Sequence, residues 1–216
     1  MPTKEFDSAA FIRFLSTFAD RIHEQRDELT RLDSAIGDAD HGINMDRGFT
    51  AVRAKLAELD GADPGAIAKA VGMTLISTVG GASGPLYGTF FLRLATALGE
   101  ARAVDAAGLG AALRAGLEGV IQRGKAVMDD KTMVDAMSPA VDAYDAVSDD
   151  GISAALEAAA SAAAEGRDRI TPLVARKGRA SYLGERAADH QDPGATSTTI
   201  LFESLRDAVA GADRDI

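Results

Sequence analysis

Asp33, Asp38 and Asp40 lie in one short stretch, Leu32-Asp33-Ser34-Ala35-Ile36-Gly37-Asp38-Ala39-Asp40-His41-Gly42-Ile43-Asn44-Met45. Three ionised carboxylates this close repel one another unless a cation intervenes. A hard divalent cation suits them, because Mg²⁺ takes oxygen ligands and combines a few carboxylates with waters and substrate phosphates. An Asp-rich turn capping a helix is the plainer alternative, and these residues alone leave both open. An EF-hand does not fit: with Asp38 as first ligand, Ile43 stands where the turn glycine belongs and Phe49 where the bidentate glutamate belongs. No G-x-x-x-x-G-K-[ST] phosphate loop occurs either.

Two further stretches could handle an anion. In Gly80-Gly81-Ala82-Ser83-Gly84-Pro85-Leu86-Tyr87-Gly88 the small residues leave backbone N–H groups approachable. Pro85 at a helix start would aim a positive helix end at the same place. Arg176-Lys177-Gly178-Arg179-Ala180-Ser181-Tyr182-Leu183-Gly184-Glu185-Arg186 is the one markedly basic segment of an acidic chain. Beside a phosphate site it would serve as a lid; away from one it is a solvated charged loop. It leads to Asp192-Pro193-Gly194, where Asp192 can cap a helix and Pro193 can begin it, a third candidate anion site.

The elements that must position these stretches read as helices. Phe11, Phe14, Leu15, Phe18 and Ile22 form one apolar stripe behind a cap at Asp7 or Ser8, and Met45, Phe49, Val52 and Leu56 form another. Asp60-Gly61-Ala62-Asp63-Pro64 ends that helix and starts a third reaching about Val79. A fourth spans Pro85 to Leu98, a fifth carries Leu109, Leu113, Leu117 and Ile121, and Gly124 to Met133 interrupts it. Val134 to Val147, Ile152 to Arg169 and Pro193 to about Ala210 complete eight helices with no sustained strand alternation. The expected fold is all-α, an antiparallel eight-helix up-and-down barrel or bundle in a single domain, 1–216. The aspartates, Gly80 to Gly84, Gly124 to Met133 and Arg176 to Gly194 all follow odd-numbered helices. If helices alternate up and down, all four lie at one end.

The remaining composition excludes several functions. A net charge of −10 and a pI near 4.8 argue against nucleic acid or an anionic membrane surface as partner. With no cysteine, disulfides, zinc thiolates and a thiol nucleophile are out of play. The segment Met-Pro-Thr-Lys-Glu-Phe-Asp lacks the apolar core of a signal peptide and no run is long enough to span a membrane, so the expected location is the cytoplasm.

With the aspartate stretch, Gly-Gly-Ala-Ser-Gly-Pro-Leu-Tyr-Gly, Asp-Lys-Thr-Met-Val-Asp and Gly-Arg-Ala-Ser-Tyr-Leu-Gly-Glu-Arg in this order, the whole chain resembles the L subunit of dihydroxyacetone kinase. The resemblance implies an eight-helix barrel with ADP or ATP at one end. It places two Mg²⁺ on Asp33, Asp38 and Asp40, bridging the nucleotide phosphates. It puts His41, Gly42, Ile43, Asn44, Ala82, Ser83, Gly124, Met133, Arg179, Asp192, Pro193 and Gly194 at nucleotide-contacting positions. His41, Ser83 and Arg179 would support phosphoryl transfer, Met133 would pack on adenine, and no covalent enzyme intermediate is implied.

The resemblance also implies partners. The ketose-binding histidine of the family sits on a separate K subunit or domain, so this chain is expected to be half an enzyme. In the phosphoenolpyruvate-dependent version, tightly held ADP is rephosphorylated by a phosphotransferase-system M subunit and passes the phosphoryl group to dihydroxyacetone on K. The free-standing length favours that version. The alternatives are the nucleotide-binding part of an ATP-dependent ketose kinase and a non-catalytic, metal-binding interaction bundle.

Overall fold

In the computed structural model the described residues are 5–59 and 61–212. Met1 to Lys4 and Asp60, which entered the expectations above, lie outside them. Nine α-helices occur among the described residues: α1 (Ser8–Glu24), α2 (Arg26–Ile36), α3 (His41–Leu56), α4 (Pro64–Thr78), α5 (Ser83–Leu98), α6 (Ala106–Gly124), α7 (Val134–Ala146), α8 (Ile152–Arg169) and α9 (Pro193–Ala212). Each packs on its neighbour in sequence, and α9 returns to pack on α1, closing the ring. The all-α up-and-down barrel is therefore the observed fold.

Two local features differ from the reading by periodicity. The first expected rod is broken at Gln25 (φ −97°, ψ 9°) into α1 and α2, which both lie against α3 and α9 and so share one place in the ring. The apolar stripe runs on through buried Leu29, Leu32 and Ile36, so Asp33 belongs to the last turn of α2 and not to a loop. Only residues 37–40 are loop, since His41 already opens α3. In addition, β1 (Phe6–Asp7) pairs antiparallel with β2 (Ala103–Val104), too short to show as alternation.

The ring is filled with aromatic side chains. All eight phenylalanines are buried, at 2% exposure or less. Phe18 of α1 meets Phe49 of α3 edge-on at 4.5 Å, and Phe14 reaches Phe91 of α5 across the interior at 6.5 Å. Each such side chain contributes roughly 1.5–3 kcal/mol by leaving water, so the barrel is a solid core and its chemistry is confined to the ends. Glycines allow close approach where helices touch: a Cβ on Gly88 of α5 would lie 2.4 Å from Ile76 of α4.

Helix N-termini are capped unevenly around the ring. At the end holding β1 and β2, Asp7, Asp63 and Asp105 accept the amides of Ala10, Ala66 and Gly108 at 2.7–2.8 Å, neutralising the starts of α1, α4 and α6. The starts of α3, α5, α7 and α9 gather at the other end. There α5 begins at Ser83 with no side chain capping it.

Candidate functional site

Asp33, Asp38 and Asp40 each offer a carboxylate oxygen, and these atoms lie within 4.8 Å of one another. Asp33 is buried, and its Oδ2 accepts the amides of Asp40 (2.8 Å) and His41 (3.0 Å), so one carboxylate both starts α3 and anchors the cluster. Gly37 is required by that anchor: a Cβ there would sit 1.9 Å from Asp33 Oδ1. Ala39 takes a left-handed conformation (φ 61°), which costs a non-glycine residue about 1 kcal/mol and turns the chain sharply between the other two aspartates. An all-oxygen donor set at this spacing, partly open to solvent, fits a hard cation such as Mg²⁺.

The cluster forms one wall of a cleft of about 180 Å³. Asp33, Asp38, Asp40, His41, Ala82, Ser83, Met133, Arg179, Asp192, Pro193 and Gly194 all line it, drawn from four connections as the odd-helix rule requires. An adjoining apolar cavity of about 310 Å³ is walled by Leu86, Val120, Gly124 and Met133, so Gly124 belongs to this second compartment. Gly42, Ile43 and Asn44 continue the first turn of α3 and do not line the cleft. A Cβ on Gly42 would stand 2.0 Å from the Arg26 carbonyl, which makes Gly42 the contact between α2 and α3. Asn44 accepts from Arg47 Nη2 (2.7 Å) and lies against Gly80.

The floor of the cleft is a chain of hydroxyls through a histidine. His41 Nδ1 shares a hydrogen bond with Ser83 Oγ and Nε2 another with Ser197 Oγ, both at 3.0 Å; Ser197 in turn meets Tyr87 OH at 2.7 Å. Burial lowers the His41 pKa to about 4 despite nearby Asp33 and Asp40, so its ring is neutral at pH 7. Burial likewise pushes the Tyr87 phenol up to about 12. With both ring nitrogens engaged by hydroxyls, His41 ties Ser83 to Ser197.

Asp192 caps α9 by accepting the Ala195 amide at 2.7 Å, and only an edge of it opens on the cleft. Desolvation raises its pKa to about 7, opposed by that amide and by Lys131. The lid takes the form of 3₁₀ turns over Arg179–Ala187, with Ala180, Leu183 and Ala187 packed on Ile36 of α2. Arg179 reaches over the cluster and pairs with Asp38 at 3.0 Å. Tyr87, Ser197, Lys131 and Thr132 were not singled out by sequence reasoning. Ser197 sits inside a helix with nothing at its spacing to mark it, whereas Tyr87, Lys131 and Thr132 lay within quoted motifs without being given a role.

A closed helical ring bearing a hard-cation cluster, an uncapped helix start and a basic lid at one end defines a phosphate-handling all-α domain. The DAK2 domain family model matches residues 35–207. The chain belongs to the DAK2 domain family. It is 43% identical over 202 residues, 93% of its length, to the "PEP-dependent dihydroxyacetone kinase 1, ADP-binding subunit DhaL" of Listeria innocua, of which it covers 96%. To the corresponding ADP-binding subunit of the PEP-dependent enzyme of Escherichia coli it is 47% identical over 196 residues, 90% of this chain and 93% of that one. Among solved structures, the dihydroxyacetone kinase of C. freundii superposes with a TM-score of 0.70 at 25% identity over 93% of this chain. This chain spans about a third of that kinase, 34%. Among the described residues no helix is long and apolar enough to cross a membrane.

Proposed function

We propose that this chain is the nucleotide-binding subunit of a phosphoenolpyruvate-dependent dihydroxyacetone kinase, holding ADP and ATP in turn. The observation that carries this reading is the meeting of three carboxylates with the uncapped start of α5 at one cleft. Carboxylates alone would repel a phosphate, and a helix start alone would repel a cation. Together they suit a metal–phosphate pair.

In this reading Asp33, Asp38 and Asp40 hold two Mg²⁺, which when bound neutralise charge on the phosphate oxygens. Ser83 and the first amides of α5 donate to phosphate, with Ser83 oriented by His41. Arg179 leaves Asp38 to donate to the phosphates from above, and the lid excludes water. Met133 and Leu86 hold the base in the apolar compartment, with Gly124 and Val120 behind them. Asp192, Pro193 and Gly194 supply the remaining wall through the start of α9, and Gly42, Ile43 and Asn44 support it from α3. Transfer is then positioning and charge neutralisation between bound groups, needing no covalent intermediate on the enzyme.

The relatives are named as ADP-binding subunits of a PEP-dependent dihydroxyacetone kinase, which supports a separate dihydroxyacetone-binding K subunit as acceptor and a phosphotransferase-system M subunit as donor. The test is to denature freshly purified protein and measure nucleotide released per chain, before and after long dialysis with Mg²⁺. Close to one ADP per chain surviving dialysis is the expected result. A site that empties and refills with ATP would instead support an ATP-dependent ketose kinase, and a protein that never binds nucleotide would overturn both.

A further inference from the structure

Lys131 is the buried cation that the proposed transfer leaves unused. It is 1% exposed, and among the described residues it forms no ion pair. Its ammonium donates to three backbone carbonyls: Thr171 at 2.7 Å, Leu173 at 2.8 Å and Ala187 at 2.7 Å. All three belong to the connection between α8 and α9, two at its beginning and one at its end, and Arg179 lies between them. The adjacent Asp130 carbonyl accepts the Arg176 amide at 3.0 Å, a second tie to the same arm.

A buried ammonium loses its hydration, at a penalty of several kcal/mol unless its donors are all met. Here three donors meet three acceptors, so the charge is tolerated, although burial still lowers its pKa against the pull of Asp192 and Asp189. The backbone is also bent to aim it: Lys131 and Asp129 both adopt left-handed conformations, φ 63° and 70°. Ion pairing is not what keeps this lysine. Its contacts are to backbone, at the two feet of one arm.

We infer that Lys131 is a positioning residue, clamping both feet of the 171–187 arm so that Arg179 is delivered over the carboxylate cluster. The inference rests on the nucleotide reading above for its effect on ligand, and on geometry alone for its effect on the lid. Lys131 also borders the cleft, but its three ammonium donors are all spent on the arm, so it fixes where the arm stands. Its loss therefore acts through Arg179.

The test compares Lys131→Met, Arg179→Ala and the double variant. In Lys131→Met, hydrogen exchange of residues 177–186 in nucleotide-free protein should rise while α3, α5 and α7 keep the parent's protection. Release of Mg·ADP should quicken roughly tenfold in Lys131→Met, the loss of about 1.4 kcal/mol of lid contact, and by less than about twofold when the same change is made in Arg179→Ala. Equal acceleration in both backgrounds, or unchanged lid exchange, would overturn the clamp. If the parent binds no nucleotide, the functional reading fails while the exchange result still decides the clamp. Should Lys131→Met not fold, Lys131→Gln keeps two N–H donors and is read in the same way.

Discussion

At the scale of single residues the carboxylate cluster depends on a neighbour that carries no carboxylate. Gly37 leaves room for the Asp33 carboxylate, and an alanine there must push that carboxylate off the amides of Asp40 and His41. Gly37→Ala is expected to weaken Mg²⁺-dependent nucleotide binding by more than about tenfold while costing on the order of 1–3 kcal/mol of stability, measured by calorimetric titration and denaturant melts. Asp192 makes a prediction about pH. Its folded pKa of about 7 lies above the unfolded value near 3.8, so the folded protein holds the extra proton and stability is lost as pH rises from about 4 through 7. Asp192→Asn keeps the acceptor for Ala195 and removes that loss. Melts at pH 4.5 and 7.5 should show the parent losing on the order of 2 kcal/mol more than the variant, after discounting for solvent at its open edge. The aspartates were legible because they are close in sequence. Ser197 and Tyr87 were not, because Ser197 meets His41 only after 156 residues of chain have been folded back, and meets Tyr87 only after 110.

At the scale of elements, helix starts decide the site's electrostatics. The caps at Asp7 and Asp63 were read from sequence and the one at Asp105 was not; the Gly80 to Gly88 connection was picked out as an anion site by its small residues and by Pro85, although α5 starts two residues earlier, at Ser83. A charge placed there separates folding from binding. Ala82→Asp puts a carboxylate at the start of α5, favourable to the helix by about 0.5 kcal/mol, and into the phosphate cradle. The expected outcome is an unchanged or slightly raised melting temperature with nucleotide affinity reduced at least about tenfold, read on one sample by melting and titration. Apolar stripes located three rods of the ring, and cap, proline and composition signals located the others. They could not locate the break at Gln25, because neither glycine nor proline marks it and the apolar stripe continues through Leu29 and Leu32. The 3₁₀ form of the lid was hidden for a related reason: its order comes from Ile36 and Lys131, which lie outside it.

At the scale of the whole molecule, the up-and-down order puts alternate connections at one end, which is why counting loops anticipated that these four would share one cleft. The core that holds the ring lies elsewhere. Phe18 joins α1 to α3 and is fully buried, so Phe18→Ala should cost about 3–5 kcal/mol in denaturant melts. Saturating Mg·ADP should restore part of that, about 2.7 kcal/mol at a hundredfold excess over Kd. Among the described residues, rods that adjoin around the ring also follow one another in sequence, apart from the place where α9 meets α1, α2 and α3. That seam gives the ring its slowest expected folding step, since closing it requires the longest loop in the molecule. Asp33 and His41 stand on one side of it and Ser197 and Asp192 on the other. A chain still open at the seam can have most of its helices packed and yet possess no cleft, so the return of nucleotide binding during refolding marks the moment of ring closure, later than the return of helicity.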